Sequence, residues 1–174
     1  MVMGDMQMKV DLLIVGAGPG GYAAAFRAAD LGMDVALVDP RKQPGGVCLH
    51  EGCIPSKTFL YLAELIEDAK KVEKMGVHFR NPKIDIERMR SWKKQVIDTM
   101  ADGLVSLKDN RGIQYFRASA HFEDSTTARL KGSEISRIQF KQAIIATGSQ
   151  PVAFPGSSFA ENSRIMSSSE ALAL

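Results

Sequence analysis

The tightest constraint on this chain is Gly16-x-Gly18-x-x-Gly21, set between the apolar run Val10-Asp11-Leu12-Leu13-Ile14-Val15 and the alanine-rich stretch Tyr22 to Leu31. The run is short and almost wholly apolar, as befits a strand buried on both faces of a parallel sheet. The stretch after the turn favours helix, and Gly32 suits its C-terminal cap. Val35-Ala36-Leu37-Val38 reads as a second buried strand, ended by Asp39. In such a βαβ unit the first glycine permits the tight turn and the second lets the backbone approach a pyrophosphate. The third lets helix and strand pack closely, while the helix N-terminus offers N–H groups and a positive dipole to phosphate. Asp39 follows at about the 20-residue interval where a carboxylate accepts ribose hydroxyl hydrogen bonds. A glycine-rich turn of purely structural role leaves that terminal acid unexplained. Gly16, Gly18, Gly21 and Asp39 are therefore expected to bind a dinucleotide. The acid disfavours a 2′-phosphate, hence NADP, but does not separate NAD from FAD.

Composition removes other classes. The chain has 174 residues, 45% hydrophobic and 24% charged, enough to bury a core. A formal charge of +2 supplies no field that argues for nucleic acid, and no basic stripe alternates with aromatics. No apolar run approaches the roughly 18–20 residues of a membrane span. Met1 to Met8 lacks the basic and continuous apolar stretches of a secretory signal and reads as a flexible leader, which makes a cytoplasmic location the expectation.

Beyond Asp39, residues 40–56 are rich in Gly and Pro and read as a loop. Lys57 to Met75 carries Leu60, Ala63, Leu65, Ile66, Ala69 and Val72 at helical spacing, stopped by Gly76. A second amphipathic helix is expected from about Asp85 to Lys108, with Met89, Trp92, Val96, Met100, Leu104 and Leu107 on one stripe. Both stripes read as core-packing faces. From Ile113 the period changes, giving strand candidates at Ile113 to Phe116, Ala118 to Phe122, Thr126 to Leu130, Glu134 to Phe140 and Ala143 to Ala146. The expected fold is α/β: a Rossmann-like domain over residues 9–150, with a parallel sheet, two long helices and an inserted antiparallel β-meander. Residues 151–174 read as a connection leading onward.

The two cysteines, Cys48 and Cys53, are too few for a disulfide framework. In a chain without a secretion signal, a close pair is more often redox-active or metal-binding than structural. On a regular helix, residues five apart would have Cα atoms roughly 8–9 Å apart, pointing away from each other, whereas a disulfide wants them below about 7 Å. The pair can bridge only if the backbone departs from a regular helix, and Gly45, Gly46, Gly52 and Pro55 allow that. A zinc site from Cys48, His50 and Cys53 with His78 or His121 is the sharpest rival, although the second matching cysteine knuckle that zinc favours is absent. Two buried cysteines of no chemical role is the other.

The segment Gly45-Gly46-Val47-Cys48-Leu49-His50-Glu51-Gly52-Cys53-Ile54-Pro55-Ser56-Lys57, following Gly-Ala-Gly-Pro-Gly-Gly and Asp39, resembles the FAD-dependent pyridine nucleotide-disulfide oxidoreductases with a CxxxxC centre. Its Ile-Pro-Ser-Lys ending is most similar to the dihydrolipoamide dehydrogenase branch, rather than to glutathione or mercuric reductase. Ala143-Ile144-Ile145-Ala146-Thr147-Gly148-Ser149 resembles the family's ATG strand and turn. The resemblance covers nearly the whole chain but only the N-terminal part of the family's length.

The resemblance implies that Gly16, Gly18 and Gly21 hold the FAD pyrophosphate and Asp39 the adenosine ribose. Gly45, Gly46 and Val47 would line the ribitol-phosphate arm, Ala120 would contact adenine, and Thr147, Gly148 and Ser149 would close over the cofactor. Cys53 would be the flavin-proximal sulfur, Cys48 the interchange sulfur attacked by dihydrolipoamide, and Lys57 a neighbour of flavin N5, where its positive potential favours thiolate. Electrons would pass from dithiol to disulfide to FAD to NAD. The partners implied are dihydrolipoamide on a lipoyl domain of a 2-oxoacid dehydrogenase or glycine cleavage complex, and a second copy in a homodimer. The family usually carries Glu at the Asp39 position and Asn-Val where this chain has His50-Glu51. No second GxGxxG occurs in these residues, so the NAD site and the catalytic His–Glu pair are expected in chain beyond Leu174, and NADH-linked turnover is not expected of these residues alone. The alternatives are a related flavin disulfide reductase of the glutathione or mercuric reductase type, and a non-catalytic FAD-binding or interaction module.

Overall fold

The computed structural model describes residues 6–159 and 164–173. The chain divides into two compact units, Met1–Cys48 with Ala101–Gln150, and Leu49–Met100 with Pro151–Leu174.

The first unit is built on one six-stranded sheet. Its strands are β1 (Gln7–Val15), β2 (Val35–Asp39), β3 (Gln114–Arg117), β4 (Ser119–Phe122), β5 (Thr127–Lys131) and β6 (Arg137–Ile145), in the order β3-β2-β1-β6-β5-β4. β1 lies parallel to β2 and β6, and β2 parallel to β3, while β4, β5 and the first half of β6 run antiparallel. This is the mixed α/β, Rossmann-like architecture expected from the sequence. The helix α1 (Pro19–Asp30) crosses from β1 to β2.

β1 is apolar over Leu12–Val15 because both faces of the sheet are covered there. Leu12 and Ile14 pack with Ala25, Ala28, Val35 and Leu37 on the α1 side. Val10 and Leu13 pack with Val38, Ala128, Leu130, Ile138 and Phe140 on the other. Small side chains at Ala25 and Ala28 let α1 approach the sheet.

Several boundaries differ from the sequence reading. Residues 1–5 of the expected leader lie outside the described residues, and Gln7 and Met8 are already strand, paired with Arg137 and Ile138. The expected strands at Glu134 to Phe140 and Ala143 to Ala146 are one continuous β6, because the polar Lys141 and Gln142 sit within the ladder that β6 forms with β1. The meander is thus not a separate insertion: β6 is at once its third strand and a central parallel strand. The expected loop at 40–56 is largely helical, containing α2 (Gly46–Glu51) and the start of α3 (Cys53–Val72). Glycine and proline misled here, because Gly46 begins one helix and Gly52 precedes the other. A 3₁₀ turn, Glu73–Met75, ends at Gly76 with φ of 90°.

In the second unit, α3 and the first part of α4 (Ile86–Asp109) are joined by side-chain contacts. Tyr61 and Trp92 have ring centroids 6.3 Å apart, and the Lys93 ammonium lies 5.0 Å from the Phe59 ring centroid. Lys93 is buried and donates to the carbonyls of Leu172 and Ala173, at 2.6 and 3.3 Å, the last turn of the short helix α5 (Ser168–Ala173). A cation suits that end of a helix. The apolar stripes were expected to be core faces, but Leu60, Leu65, Met100 and Leu107 are exposed. Periodicity reports that a helix has an apolar side, not that a partner covers it. No helix among the described residues is long and apolar enough to cross a membrane.

Candidate functional site

The register places Val15 beside both Val38 and Ile145, so β1, β2 and β6 end together. β2 lies to one side of β1 and β6 to the other. Such a point, outside the carboxyl ends of parallel strands, is where open α/β sheets bind ligands.

The glycines of the turn are explained by close approach. Gly16 has φ of 100°, and a Cβ there would collide with the carbonyl of Ala146. Its own N–H bonds the Val38 carbonyl at 2.7 Å. A Cβ on Gly21 would strike the Gly16 carbonyl, so strand end and helix pack backbone to backbone. Gly18 is the N-cap of α1, with no side-chain cap, and Pro19 opens the helix. Gly20 faces open space. The first N–H groups of an α-helix have no partner within the helix.

Gly45 and Gly46 belong to the same cradle. The Gly45 N–H donates to the Ala17 carbonyl at 2.8 Å. Gly46 has φ of 59°, and a Cβ there would lie 2.6 Å from Gly18 Cα. The start of α2 therefore rests on the glycine turn. Val47 follows, exposed, and then Cys48, half-buried in α2.

Asp39 is buried, and its carboxylate takes two backbone hydrogen bonds. Oδ2 accepts from Ala17 N–H at 2.7 Å and Oδ1 from Arg41 N–H at 2.8 Å. The Arg41 carbonyl accepts in turn from the Tyr115 hydroxyl at 2.9 Å. Burial, then the negative charge of Asp39, raise the Tyr115 phenol above its ordinary value, which keeps it a hydrogen-bond donor. Sequence reasoning missed Ala17, Arg41 and Tyr115. The only available signal was that an acid ending a buried strand needs N–H donors.

The remaining expected residues are less concentrated. Thr147, Gly148 and Ser149 are exposed after β6, with Thr147 Cα 3.0 Å from the position of a Gly16 Cβ. Ala120 lies on β4, paired with Leu130, and packs against the Val10–Leu13–Val38 cluster. In the second unit, Cys53 is exposed as the first residue of α3, with Lys57 one turn on, also exposed. The Ser56 hydroxyl donates to the Cys53 carbonyl at 3.0 Å. Gly52, with φ of −132° and ψ of −98°, departs from helical geometry between the cysteines, as a bridge between them would require. His50 is half-buried in α2, while His78 and His121 are exposed. Among the described residues no three His, Cys, Asp or Glu side chains gather where they could hold a metal ion.

Comparison with known proteins identifies the family. Residues 10–174 match the family described as pyridine nucleotide-disulphide oxidoreductase. The dihydrolipoyl dehydrogenase of Buchnera aphidicola (subsp. Acyrthosiphon pisum) is 43% identical over 98% of this chain and 36% of its own length. Dihydrolipoyl dehydrogenase 2 of Haloarcula marismortui is 42% identical over 100% of this chain and 37% of its own length. The Geobacillus stearothermophilus dihydrolipoyl dehydrogenase is 41% identical, with 100% and 37% covered. The chain thus spans little more than a third of the curated relatives it matches. Strand order, glycine turn, cysteine pair and sequence likeness agree, and the chain belongs to the pyridine nucleotide-disulphide oxidoreductase family.

Proposed function

We propose that this chain is the flavin-binding, disulfide-bearing part of a dihydrolipoyl dehydrogenase. Membership of the family implies FAD, and NAD in the whole enzyme. The observation that carries the reading is the seat of Gly46 on Gly18: the helix bearing Cys48 starts against the turn suited to a pyrophosphate. The cradle fits that group, since α1 is uncapped, Gly20 faces open space and Gly18 has only Gly46 Cα near a Cβ position, at 3.9 Å.

In this reading Gly16, Gly18 and Gly21 hold the FAD pyrophosphate through backbone N–H groups and the α1 dipole. Gly45, Gly46 and Val47 line the ribitol-phosphate arm, Ala120 meets adenine, and Thr147, Gly148 and Ser149 close the groove. Asp39 serves the adenosine half. Cys48 and Cys53 form a disulfide in the oxidised enzyme. A thiolate of dihydrolipoamide attacks Cys48 Sγ, the Cys48–Cys53 bond breaks, and Cys53 leaves as thiolate. The second substrate thiolate attacks the substrate sulfur joined to Cys48, which frees Cys48 and closes the lipoamide ring. Two electrons have then moved to the cysteine pair, and the two substrate thiol protons have been released to bases or retained on Cys48. Lys57 supplies positive potential that favours the Cys53 thiolate. When bound, FAD would supply a two-electron acceptor for the Cys48–Cys53 dithiol, whose oxidation re-forms the disulfide, with NAD as the final acceptor in the whole enzyme. The substrate arrives on a lipoyl domain of a 2-oxoacid dehydrogenase or glycine cleavage complex, and the whole enzyme is a cytoplasmic homodimer. In domain terms, residues 9–150 form the FAD domain and 151–174 lead towards the NAD domain.

The test is made on the natural protein carrying this chain. It should bind FAD, expose two additional titratable thiols after dihydrolipoamide is added anaerobically, and lose dihydrolipoamide:NAD activity in Cys48→Ser with flavin retained. Two reactive thiols before any reductant, in a protein without flavin, would refute the reading.

A further inference from the structure

We propose that a groove at the C-terminal end of α3 docks an acidic peptide segment of a partner protein, which inserts one apolar side chain. The groove is made by the turn that follows the helix. Gly76 closes the 3₁₀ turn in the left-handed region, with φ of 90°, and the Val77 N–H returns to the Val72 carbonyl at 3.3 Å. Phe79 and Pro82 thereby join Leu65, Ile66 and Ala69 of α3 around a volume of about 260 Å³. That is below the roughly 300–1,000 Å³ of small-molecule sites, and it suits a single large side chain. Leu65 and Phe79 are 48% and 57% exposed, so the chain itself does not fill the space between these walls. Charge selects the occupant. From Lys74 to Ile84 the sequence has three cations, Lys74, Arg80 and Lys83, and no acid. The acids on either side are engaged: Glu67 with Lys70 at 2.7 Å, Asp68 with Lys71 at 2.8 Å and Glu87 with Arg90 at 2.6 Å. Asp85 accepts from the Arg88 N–H at the start of α4, at 3.1 Å. Lys74, Arg80 and Lys83 have no hydrogen-bond or ion-pair partner among the described residues. Arg80 lines the groove, where Glu73 is the only acid. Unpaired cations around an apolar socket complement carboxylates that flank an apolar side chain. A lipid surface fits less well, because it would desolvate the Arg80 guanidinium and the Asn81 amide in the lining, whereas a peptide brings acceptors for both. No residue of the glycine cradle is involved, so this proposal and the flavin reading stand or fall separately.

The test uses the natural protein carrying this chain and short fluorescein-labelled peptides with a central Phe, Leu or Trp flanked by Asp and Glu. Matched peptides carry Asn and Gln in place of the acids, or Ala in place of the central residue. Fluorescence anisotropy should show an acidic peptide bound, with both matched peptides about tenfold weaker or more. Raising salt from about 50 to about 500 mM should weaken the acidic peptide about fivefold. Arg80→Glu combined with Lys83→Glu should weaken it about tenfold, as should Ala69→Trp, which fills the groove from α3. Arg80 and Lys83 are exposed and Ala69 is half-buried, so the melting temperature and any dihydrolipoamide:NAD activity should stay at the wild-type level. Should Ala69→Trp fold poorly, the charge reversal still decides, since neither side chain has a partner to lose. Absence of binding by every acidic peptide, equal binding of the matched ones, or unchanged binding after charge reversal would overturn the proposal. Two further outcomes would also overturn it. Sedimentation with phosphatidylserine–phosphatidylcholine vesicles, abolished by the charge reversal and seen without peptide binding, would assign the groove to a membrane. A change of oligomeric state on charge reversal would assign it to a second copy of the chain.

Discussion

Gly46→Ala perturbs the cradle at its narrowest point. Gly46 sits at φ of 59°, and an added Cβ would stand 2.6 Å from Gly18 Cα and 3.3 Å from Gly18 N. Two costs follow. The left-handed conformation is unfavourable for an L side chain by roughly 1–2 kcal/mol. The contact is with backbone that cannot rotate away, an overpacking of roughly 1–3 kcal/mol. The sum is about 2–5 kcal/mol, relieved only if α2 moves off the turn and carries Cys48 with it. For a chain of this size each kcal/mol lowers the melting temperature by about 2–4 °C, so a fall of at least about 4 °C is expected. Gly20→Ala is the control. That glycine lies in the first turn of α1 with nothing within 4 Å of a Cβ, and alanine there should stabilise by about 0.4–1 kcal/mol through the unfolded state. Calorimetric melts of both variants without flavin read the difference directly. Opposite signs are expected; melting temperatures for Gly46→Ala equal to those of Gly20→Ala would show that the two backbones do not meet.

Three further outcomes follow from named groups. In the flavin-loaded natural protein, Cys53→Ser should retain its flavin yet lose the long-wavelength absorption that appears on two-electron reduction, whereas Cys48→Ser should keep that absorption; the reverse pattern would exchange the two roles. Glu123 is held below the usual carboxylate value by hydrogen bonding to Arg137 and Arg129; its contribution to stability is complete above about 4.5 and is lost as pH falls through its lower folded value. Acid denaturation of Glu123→Gln should therefore be less steep below pH 4.5 than that of wild type, and parallel curves would contradict this. Lys93 is depressed by burial, so the unfolded chain binds its proton more tightly. Relative to Lys93→Met, wild-type stability should rise between its folded pKa and 10.5, and a constant difference across alkaline pH would argue against that burial.

Much of the parallel core was legible because its rules are local. The apolar run at Val10–Val15, the glycine turn and the alanine-rich α1 each announce their structure within a few residues. The segment at 40–56 was not legible: Gly45, Gly46 and Gly52 suggested a loop, but Gly46 is there because of Gly18, a partner 28 positions away. Likewise Lys141 and Gln142 suggested a break in β6, while the ladder with β1 carries the strand through them. The role of Tyr115 could not be read locally either, since its acceptor is the carbonyl of Arg41. At the site, sequence identified a glycine turn of the kind suited to a phosphate, and structure added what holds that turn in place.

The position of β6 bears on how such a chain acquires its ligand site. β1 and β2 can pair soon after synthesis, but the other flank of β1 waits for a strand that begins at Arg137, and Gly16 is closed over by Ala146 and Thr147. Contacts so far apart in sequence form slowly, because a long loop must be ordered before they are rewarded. On a ribosome the groove therefore remains half-built until Ala146 and Thr147 have emerged. A nucleotide that binds only the finished groove would select the late-docked state and hold it by mass action, so flavin supply would govern how much newly made chain is retained in its mature form.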